Sequence, residues 1–189
     1  LFSDAPLAEK RITAEVCVHH LWFDESRYEE LGTRIKCNPA IKRAEDRQAL
    51  VRALNEGRID VIATDHAPHT AEEKDNAYFK APAGLPLVQH ALLTLFDLVA
   101  RNEIELELLV DKVCHAPADL FGVGERGYVR EGWFADLVVV DDRQVMQVAC
   151  LHDVEGGAVV LVDADGDGRG AHVLADEHGC LLKLGVVMT

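Results

Sequence analysis

The chain has 189 residues, 49% of them hydrophobic, and a mean hydropathy near zero, a composition typical of a globular protein with one sizeable core. Its 33 acidic and 19 basic residues give a formal charge of −14, which disfavours nucleic acid and anionic membranes as partners. Five widely spaced cysteines without a C-x-x-C pair predict a reducing, cytoplasmic location, and no apolar run approaches the roughly 18 residues of a membrane helix, so we expect neither export nor a membrane span.

The first half of the chain alternates between predicted strands and a helix. The β-branched segment RITAEVCVHHL, residues 11–21, predicts a strand that ends in two histidines. A second strand is predicted in GTRIKCNPAI, residues 32–41, which closes at a proline that cannot donate to a ladder. Apolar residues at helical spacing predict a helix over residues 44–56, with Gly57 as its stop. The nearly unbroken apolar run IDVIATD, residues 59–65, predicts a buried parallel strand.

The second half begins with helices and ends with a β-rich segment. After the loop PAGLP, residues 82–86, the apolar run at 87–100 predicts a core helix, and residues 106–113 predict another that ends near Pro117. This alternation predicts an α/β protein with a parallel sheet, although three strands cannot close a barrel by themselves. From Gly122 onward, glycines at turn spacing and the segment ADLVVVD predict the start of a small β unit.

A short acidic segment, DADGDGRG at residues 163–170, begins like a calcium-binding loop. The twelfth position counted from Asp163 is Leu174, where such a loop needs a bidentate glutamate. The sequence therefore favours an acidic, glycine-rich turn, with calcium binding as the alternative.

Polar side chains collect where the predicted strands end. These side chains belong to His19, His20, Asn38, Asp65 and His69. Catalytic groups gather at strand ends in parallel α/β folds, and imidazole and carboxylate groups on neighbouring strand ends suit a zinc-type cation. Taken singly, either histidine of the first pair also fits a core histidine bonded to backbone, and Asp65 fits a cap on the following turn.

Five segments carry a resemblance to a known family: EVCVHHL, IKCNPAI, RIDVIATDHAPHTAEEK, APAGLP and GYVREGWFADLVVVD. In order and spacing they resemble the C-terminal part of a dihydroorotase of the amidohydrolase superfamily. ATDHAPH followed by P-x-G-x-P is quite specific for dihydroorotases, whereas many amidohydrolases share ADLVVVD. The resemblance covers roughly residues 1–142. It implies strands six to eight of a metal-dependent (β/α)8 barrel in residues 1–121, the start of a C-terminal β-sandwich in 122–142, and an unassigned, divergent tail in 143–189.

The resemblance also implies a metal centre with one or two Zn²⁺ ions. His19 matches a histidine ligand of one metal. Asp65 matches the aspartate that binds the other metal and takes the proton of the attacking water. Because adjacent residues of a strand point to opposite faces, we expect His20 and His66 to face away from the metals.

Substrate contacts are implied for a second group of residues. His69 matches the histidine that holds the substrate carboxylate, and Asn38 matches an asparagine that contacts the substrate. The backbone around Ala83 and Gly84 matches the loop that hydrogen-bonds the pyrimidine ring. The reaction implied is the reversible hydrolysis of dihydroorotate to N-carbamoyl-L-aspartate in pyrimidine biosynthesis.

Part of the ligand set that the resemblance calls for is absent from the sequence. No His-x-His pair occurs in it, and the family's bridging carboxylate or carboxylated lysine, its strand-five histidine and the arginine after His-x-His have no counterpart. Since two ligands hold a metal weakly, we expect this chain by itself to be inactive and its catalytic assignment to apply to a complete protein.

Three functions therefore stay open. The first is a zinc-dependent dihydroorotase, and the second is a related cyclic amidohydrolase such as an allantoinase or a hydantoinase. The third is a non-catalytic, dihydroorotase-like scaffold for aspartate carbamoyltransferase. The resemblance leaves two assemblies open, a homodimer or a complex with aspartate carbamoyltransferase.

Overall fold

The computed structural model of the chain describes residues 2–139, 160–162, 171–173 and 186–187, with side chains up to residue 138. Two compact units divide the chain, Leu1–Val113 and Cys114–Thr189. The acidic segment considered for calcium and most of the predicted tail lie outside the described residues.

The first unit contains two short strands and six helices in its described part. They are β1 (Glu15–Cys17), α1 (Val18–Trp22), α2 (Tyr28–Leu31), α3 (Ala44–Asn55), β2 (Val61–Ala63), α4 (Ala71–Lys74), α5 (Ala91–Ala100) and α6 (Leu106–Val110). The strands pair in parallel, with Glu15 opposite Val61 and Cys17 opposite Ala63. Because the pairing is parallel and in register, both strands end at the same edge of the sheet.

The predicted strand at residues 11–21 forms only over β1, and the prediction is wrong for its second half. The chain turns helical at Val18, so His19 and His20 lie on α1 instead of on a strand. Val18 and Leu21 are both fully buried. Their spacing of three residues puts both side chains on one face of a helix, whereas a strand would point them to opposite faces.

The predicted strand at residues 32–41 does not form. A 3-10 turn occupies Gly32–Ile35, and irregular backbone follows. The carbonyl of Lys36 accepts hydrogen bonds from the backbone N–H of Gly84, at 2.9 Å, and from the Nζ of Lys74, at 3.0 Å. A loop and a buried ammonium group thus provide the partners that a neighbouring strand would otherwise supply.

The helices follow the sequence more closely. The helix predicted at residues 44–56 is confirmed as α3, which buries Val51 and Leu54 and ends before Gly57 at a φ of 74°. The helix predicted at 87–100 begins later, as α5. α1 packs against both of these helices. At 12 residues α3 is the longest helix in the described part, and no helix there has the length and apolar character to cross a bilayer.

Helical turns occupy the residues around the start of the second unit. A π-helical turn at Asp111–His115 leads into α7 (Ala116–Leu120). Pro117 does not end the helix as predicted. It occupies the first turn of α7, where an N–H has no partner within the helix and its loss costs nothing.

Four short strands complete the described part of the second unit. They are β3 (Val138–Val139), β4 (Val160–Val162), β5 (Ala171–Val173) and β6 (Val186–Val187). β3 pairs with β6 in parallel, and β4 pairs with β5 antiparallel. Between Gly122 and residue 137 the structure contains turns and no strand. The β-sandwich assignment of residues 122–142 stays a prediction.

Candidate metal centre and adjoining loop

His19 is a buried polar side chain two residues beyond the end of β1. It is 1% exposed, and neither ring nitrogen has a hydrogen-bond partner among the described residues. A buried polar atom normally has one. Burial is the main reason that the pKa of His19 falls to about 4; neighbouring His20 lowers it further, and Asp65 opposes both. The imidazole is therefore neutral at pH 7, the form that coordinates a metal ion.

The lowered pKa predicts acid sensitivity of the metal-free chain. In the unfolded state His19 binds a proton near its ordinary pKa of 6.5, but in the folded state only near 4. Between these values the unfolded chain holds more protons, so the free energy of unfolding falls as the pH drops from 6.5 to 4, by up to about 3 kcal/mol.

Urea unfolding of the metal-free chain at a series of pH values measures this effect. Other groups titrate in the same range, so the His19→Gln variant is the control, and the expected result is a steeper decline in the parent chain than in the variant. Parallel declines in the two proteins would refute the buried, neutral state of His19.

Asp65 lies two residues beyond β2, at a φ of 47° and exposed to solvent. Aspartate is one of the few side chains that occupy this left-handed region at low cost. Its carboxylate acts on the side chains at the end of β1: burial and then Asp65 raise the pKa of the Cys17 thiol, to about 11. The same carboxylate pulls the pKa of His19 upward. Asp65 therefore lies close enough to His19 and Cys17 for its charge to act on both side chains.

Cys17 and His20 cluster with His19. The sequence analysis did not consider Cys17 as a ligand and expected His20 to face away from the metals. The ligand atoms of Cys17, His19 and His20 lie within 4.8 Å of one another. The two imidazole rings are 4.2 Å apart. The prediction that His20 faces away rested on strand alternation and fails because the pair lies on a helix. The C-x-H-H spacing is the signal that could have found this cluster.

Asn38 is exposed, in a segment tied to the same histidine pair. The Nε2 of His20 donates to the carbonyl of Pro39 at 2.9 Å, and the thiol of Cys37 donates to that carbonyl at 3.1 Å. His66 lies elsewhere in this arrangement: it is exposed, and its Nδ1 accepts a hydrogen bond from the backbone of Val88 at 3.0 Å.

His69 lies against the loop that the sequence singled out. Its Nε2 donates to the carbonyl of Ala83 at 3.2 Å, and its Nδ1 is 3.5 Å from the carboxylate of Glu73. A carbonyl oxygen only accepts, so the Nε2 must carry a proton. The structure thus brings two of the predicted substrate residues into direct contact.

Gly84 lets this loop pack against the segment that follows β2. It has a φ of 137°, and a Cβ there would lie 2.5 Å from the carbonyl oxygen of Ala67. Below it, Lys74 is 5% exposed, and its Nζ donates to the carbonyls of Lys36, Pro82 and Gly84 at 3.0, 3.1 and 2.8 Å. Burial lowers the pKa of Lys74. No local pattern in the sequence marks this lysine.

Replacing Gly84 with alanine is expected to destabilise the chain by about 2–3 kcal/mol, because the backbone is strained for any residue with a Cβ and the methyl group overlaps Ala67. Gly57→Ala is the matched control, since Gly57 has a φ of 74° and open space around it; we expect about 1 kcal/mol there. Urea unfolding measures both variants. Equal costs would mean that the contact with Ala67 has no part in the effect.

The site therefore has two neighbouring parts, an imidazole and carboxylate centre and a loop that offers hydrogen-bonding groups. A carboxylate beside a neutral imidazole can bind a divalent cation and can accept a proton. The loop groups can bind a polar ring or a carboxylate. Such an arrangement suits the hydrolysis of a small polar molecule.

Comparison of the sequence with known proteins identifies a family and several relatives that it resembles. The sequence profile described as the Amidohydrolase family matches residues 4–167. A protein named dihydroorotase from Halobacterium salinarum is 40% identical over 136 residues, which are 72% of this chain and 32% of that protein. A dihydroorotase from Bacillus cytotoxicus is 42% identical over 142 residues, 75% of this chain and 33% of that protein. The chain spans about a third of the length of these curated relatives.

Solved structures give the same kind of partial match. The L-hydantoinase (dihydropyrimidinase) from Arthrobacter aurescens is similar with a TM-score of 0.63 and 28% identity. The likeness covers 65% of this chain and 28% of that one. In sequence and in fold alike, the chain corresponds to a part of larger proteins.

Proposed function

This chain belongs to the amidohydrolase family, and from that premise we propose that the protein is a dihydroorotase, which reversibly hydrolyses dihydroorotate to N-carbamoyl-L-aspartate. Family membership and the likeness to a hydantoinase imply a (β/α)8 barrel. We assign barrel strands six to eight to residues 1–121 and the start of a β-sandwich to residues 122–142. Residues 143–189 remain unassigned.

The observation that carries the proposal is buried His19, whose two ring nitrogens have no hydrogen-bond partner among the described residues and whose pKa responds to the charge of Asp65. This donor pair fits Zn²⁺, of which we propose one or two per complete site, because zinc in proteins takes imidazole and carboxylate ligands. When bound, the ion would polarise the substrate carbonyl and make water a better nucleophile at neutral pH. His19 and Asp65 would supply this chain's share of the ligands.

Asp65 carries the proton transfer in this proposal. A carboxylate at this position would take a proton from the attacking water and deliver it to the amide nitrogen when the ring opens. Its exposure leaves it accessible to substrate. The reverse reaction, ring closure, would use the same group in the opposite order.

The loop residues would hold the substrate. We propose that His69 donates a ring N–H to the substrate carboxylate in place of the carbonyl of Ala83, which accepts it now. The exposed amide of Asn38 and the backbone at Ala83 and Gly84 would bind the polar edges of the ring. The backbone N–H of Ala67 donates to the carbonyl of Leu85 at 3.0 Å, which holds this loop against the segment that follows β2.

A substrate panel tests the proposal on the natural polypeptide that carries this sequence. Turnover of dihydroorotate well above that of hydantoins and allantoin is the expected result, and faster turnover of a hydantoin would overturn it. The 189-residue chain assayed alone is expected to give no turnover in either direction, because its sequence lacks a His-x-His pair.

A hydantoinase is the second candidate, favoured by the similarity of the fold to L-hydantoinase at 28% identity. Against it stand the 40% and 42% identities to dihydroorotases.

The third candidate function is a non-catalytic scaffold for aspartate carbamoyltransferase. We propose either a complex with that enzyme or a homodimer as the assembly. Co-purification as a stable complex without turnover would favour the scaffold, and a monomer with two bound zinc ions would exclude it.

We propose a cytoplasmic location for the protein on its composition alone.

A further inference from the structure

Cys17 is the unexpected member of the cluster at the end of β1. Its sulfur, His19 and His20 each offer one ligand atom, and these atoms lie within 4.8 Å of one another. Zinc bonds of about 2.0–2.3 Å place tetrahedral ligands less than 4 Å apart, so small side-chain rotations would close the cluster around one ion. All three residues lie within four positions of the chain, where β1 passes into α1.

Two further observations point to a ligand at this cluster. His19 is 1% exposed, and both of its ring nitrogens lack a partner among the described residues. His20 donates its Nε2 proton to the carbonyl of Pro39, which leaves the lone pair of Nδ1 available. A metal-bound histidine usually makes this kind of bond, because a carbonyl that accepts the second N–H fixes the tautomer and orients the ring.

From this geometry we propose that Cys17, His19 and His20 form a three-residue site for a thiophilic divalent cation such as Zn²⁺, Co²⁺ or Cd²⁺. The site shares His19 with the zinc centre of the proposed function and adds Cys17 and His20 to it. The two proposals can fail separately, because a metal–sulfur bond is detected without turnover and turnover does not require Cys17. Binding forms a metal–sulfur bond, and the thiol proton passes to solvent. Zinc accepts both cysteine and histidine as ligands, and three protein ligands with an open fourth position are typical of its catalytic sites.

A cobalt titration of the reduced, metal-free 189-residue chain tests the site. Thiolate bound to Co²⁺ gives a charge-transfer band in the near ultraviolet, which imidazole and carboxylate ligands do not give. We expect this band with one equivalent of Co²⁺ and its loss in Cys17→Ala. His20→Gln should keep the band but weaken Co²⁺ binding by at least about 10- to 100-fold, the effect of removing even an outer-shell partner.

Matched variants control for other cysteines and histidines. Cys114→Ala removes a cysteine of the second unit, and His66→Gln removes an exposed histidine whose ring is bonded to backbone elsewhere. Both should bind Co²⁺ like the parent chain. A band that persists in Cys17→Ala, or no band in the parent chain, would overturn the site.

A second measurement needs no variant, in case Cys17→Ala fails to fold. The ¹¹³Cd chemical shift of the parent chain reports the number of sulfur ligands directly. One sulfur with two nitrogens is the expected ligand set. A shift characteristic of oxygen and nitrogen ligands alone would refute a role for Cys17.

Discussion

Replacing Asp65 with asparagine is expected to lower kcat for dihydroorotate hydrolysis by about 10²- to 10⁴-fold, the usual contribution of a positioned general acid or base. An amide cannot accept the proton of the attacking water. The backbone should not change, because asparagine tolerates the φ of 47° as readily as aspartate does. Steady-state kinetics on the natural polypeptide that carries this sequence, with metal content measured in parallel, give the result.

Two variants separate chemistry from structure in this experiment. Asp75→Asn makes the same change at another exposed aspartate and should leave kcat unaltered. Asp65→Ala removes the carboxylate and also strains the backbone, so it should lose stability as well as rate. A full rate in Asp65→Asn would remove the proton-transfer role that the proposed function assigns to this residue.

The sequence was most informative where one physical requirement dominates. α3 could be predicted because a surface helix over a core needs apolar side chains at helical spacing, and Val51 and Leu54 meet that need. The strand predicted at residues 59–65 forms over its middle as β2 (Val61–Ala63), and it could be predicted because a strand covered on both faces is apolar throughout. Its position at the end of that run marked Asp65 as a candidate site residue, and the family resemblance implied its role.

The secondary structure of His19 and His20 could not be predicted because the same residues fit both a strand and a helix. EVCVHHL has the β-branched content of a strand, and strand alternation would separate His19 from His20. Tertiary packing decided otherwise: α1 packs against α3 and α5, and a helix buries Val18 and Leu21 on one side. The helical conformation also brings His20 close to Cys17. The wrong prediction of a strand therefore led to the wrong expectation that His20 faces away.

Long-range polar contacts were invisible to local patterns for a different reason. Lys74 meets the carbonyl of Lys36 across 38 positions of the chain. The N–H of Gly84 meets the same carbonyl. Such contacts depend on how loops fold back, which spacing and propensity do not encode. They also explain why residues 32–41 need no strand neighbours.

The buried ion pair between Lys10 and Asp60 is another long-range polar contact, and Asp60→Asn is expected to lower the free energy of unfolding by about 3–5 kcal/mol. The two side chains are 2% and 4% exposed and 2.7 Å apart. Asp60 also accepts from the backbone of Ala14 at 2.8 Å, so it joins the segments that enter β1 and β2. The substitution leaves the ammonium group of Lys10 buried without its counter-charge. Urea unfolding followed by circular dichroism measures the loss.

A solvent-exposed pair and a double variant complete this experiment. Glu56→Gln breaks the pair with Arg58, whose side chains are 53% and 58% exposed, and should cost less than about 1 kcal/mol. Lys10→Met combined with Asp60→Asn removes both charges while an amide oxygen still faces Ala14, so its cost should be smaller than the sum of the single costs. Strict additivity would mean that the two charges do not interact. Because Asp60 joins the segments that enter β1 and β2, loss of the ion pair should also weaken Co²⁺ binding at the far end of β1, where the positions of the ligands depend on that strand.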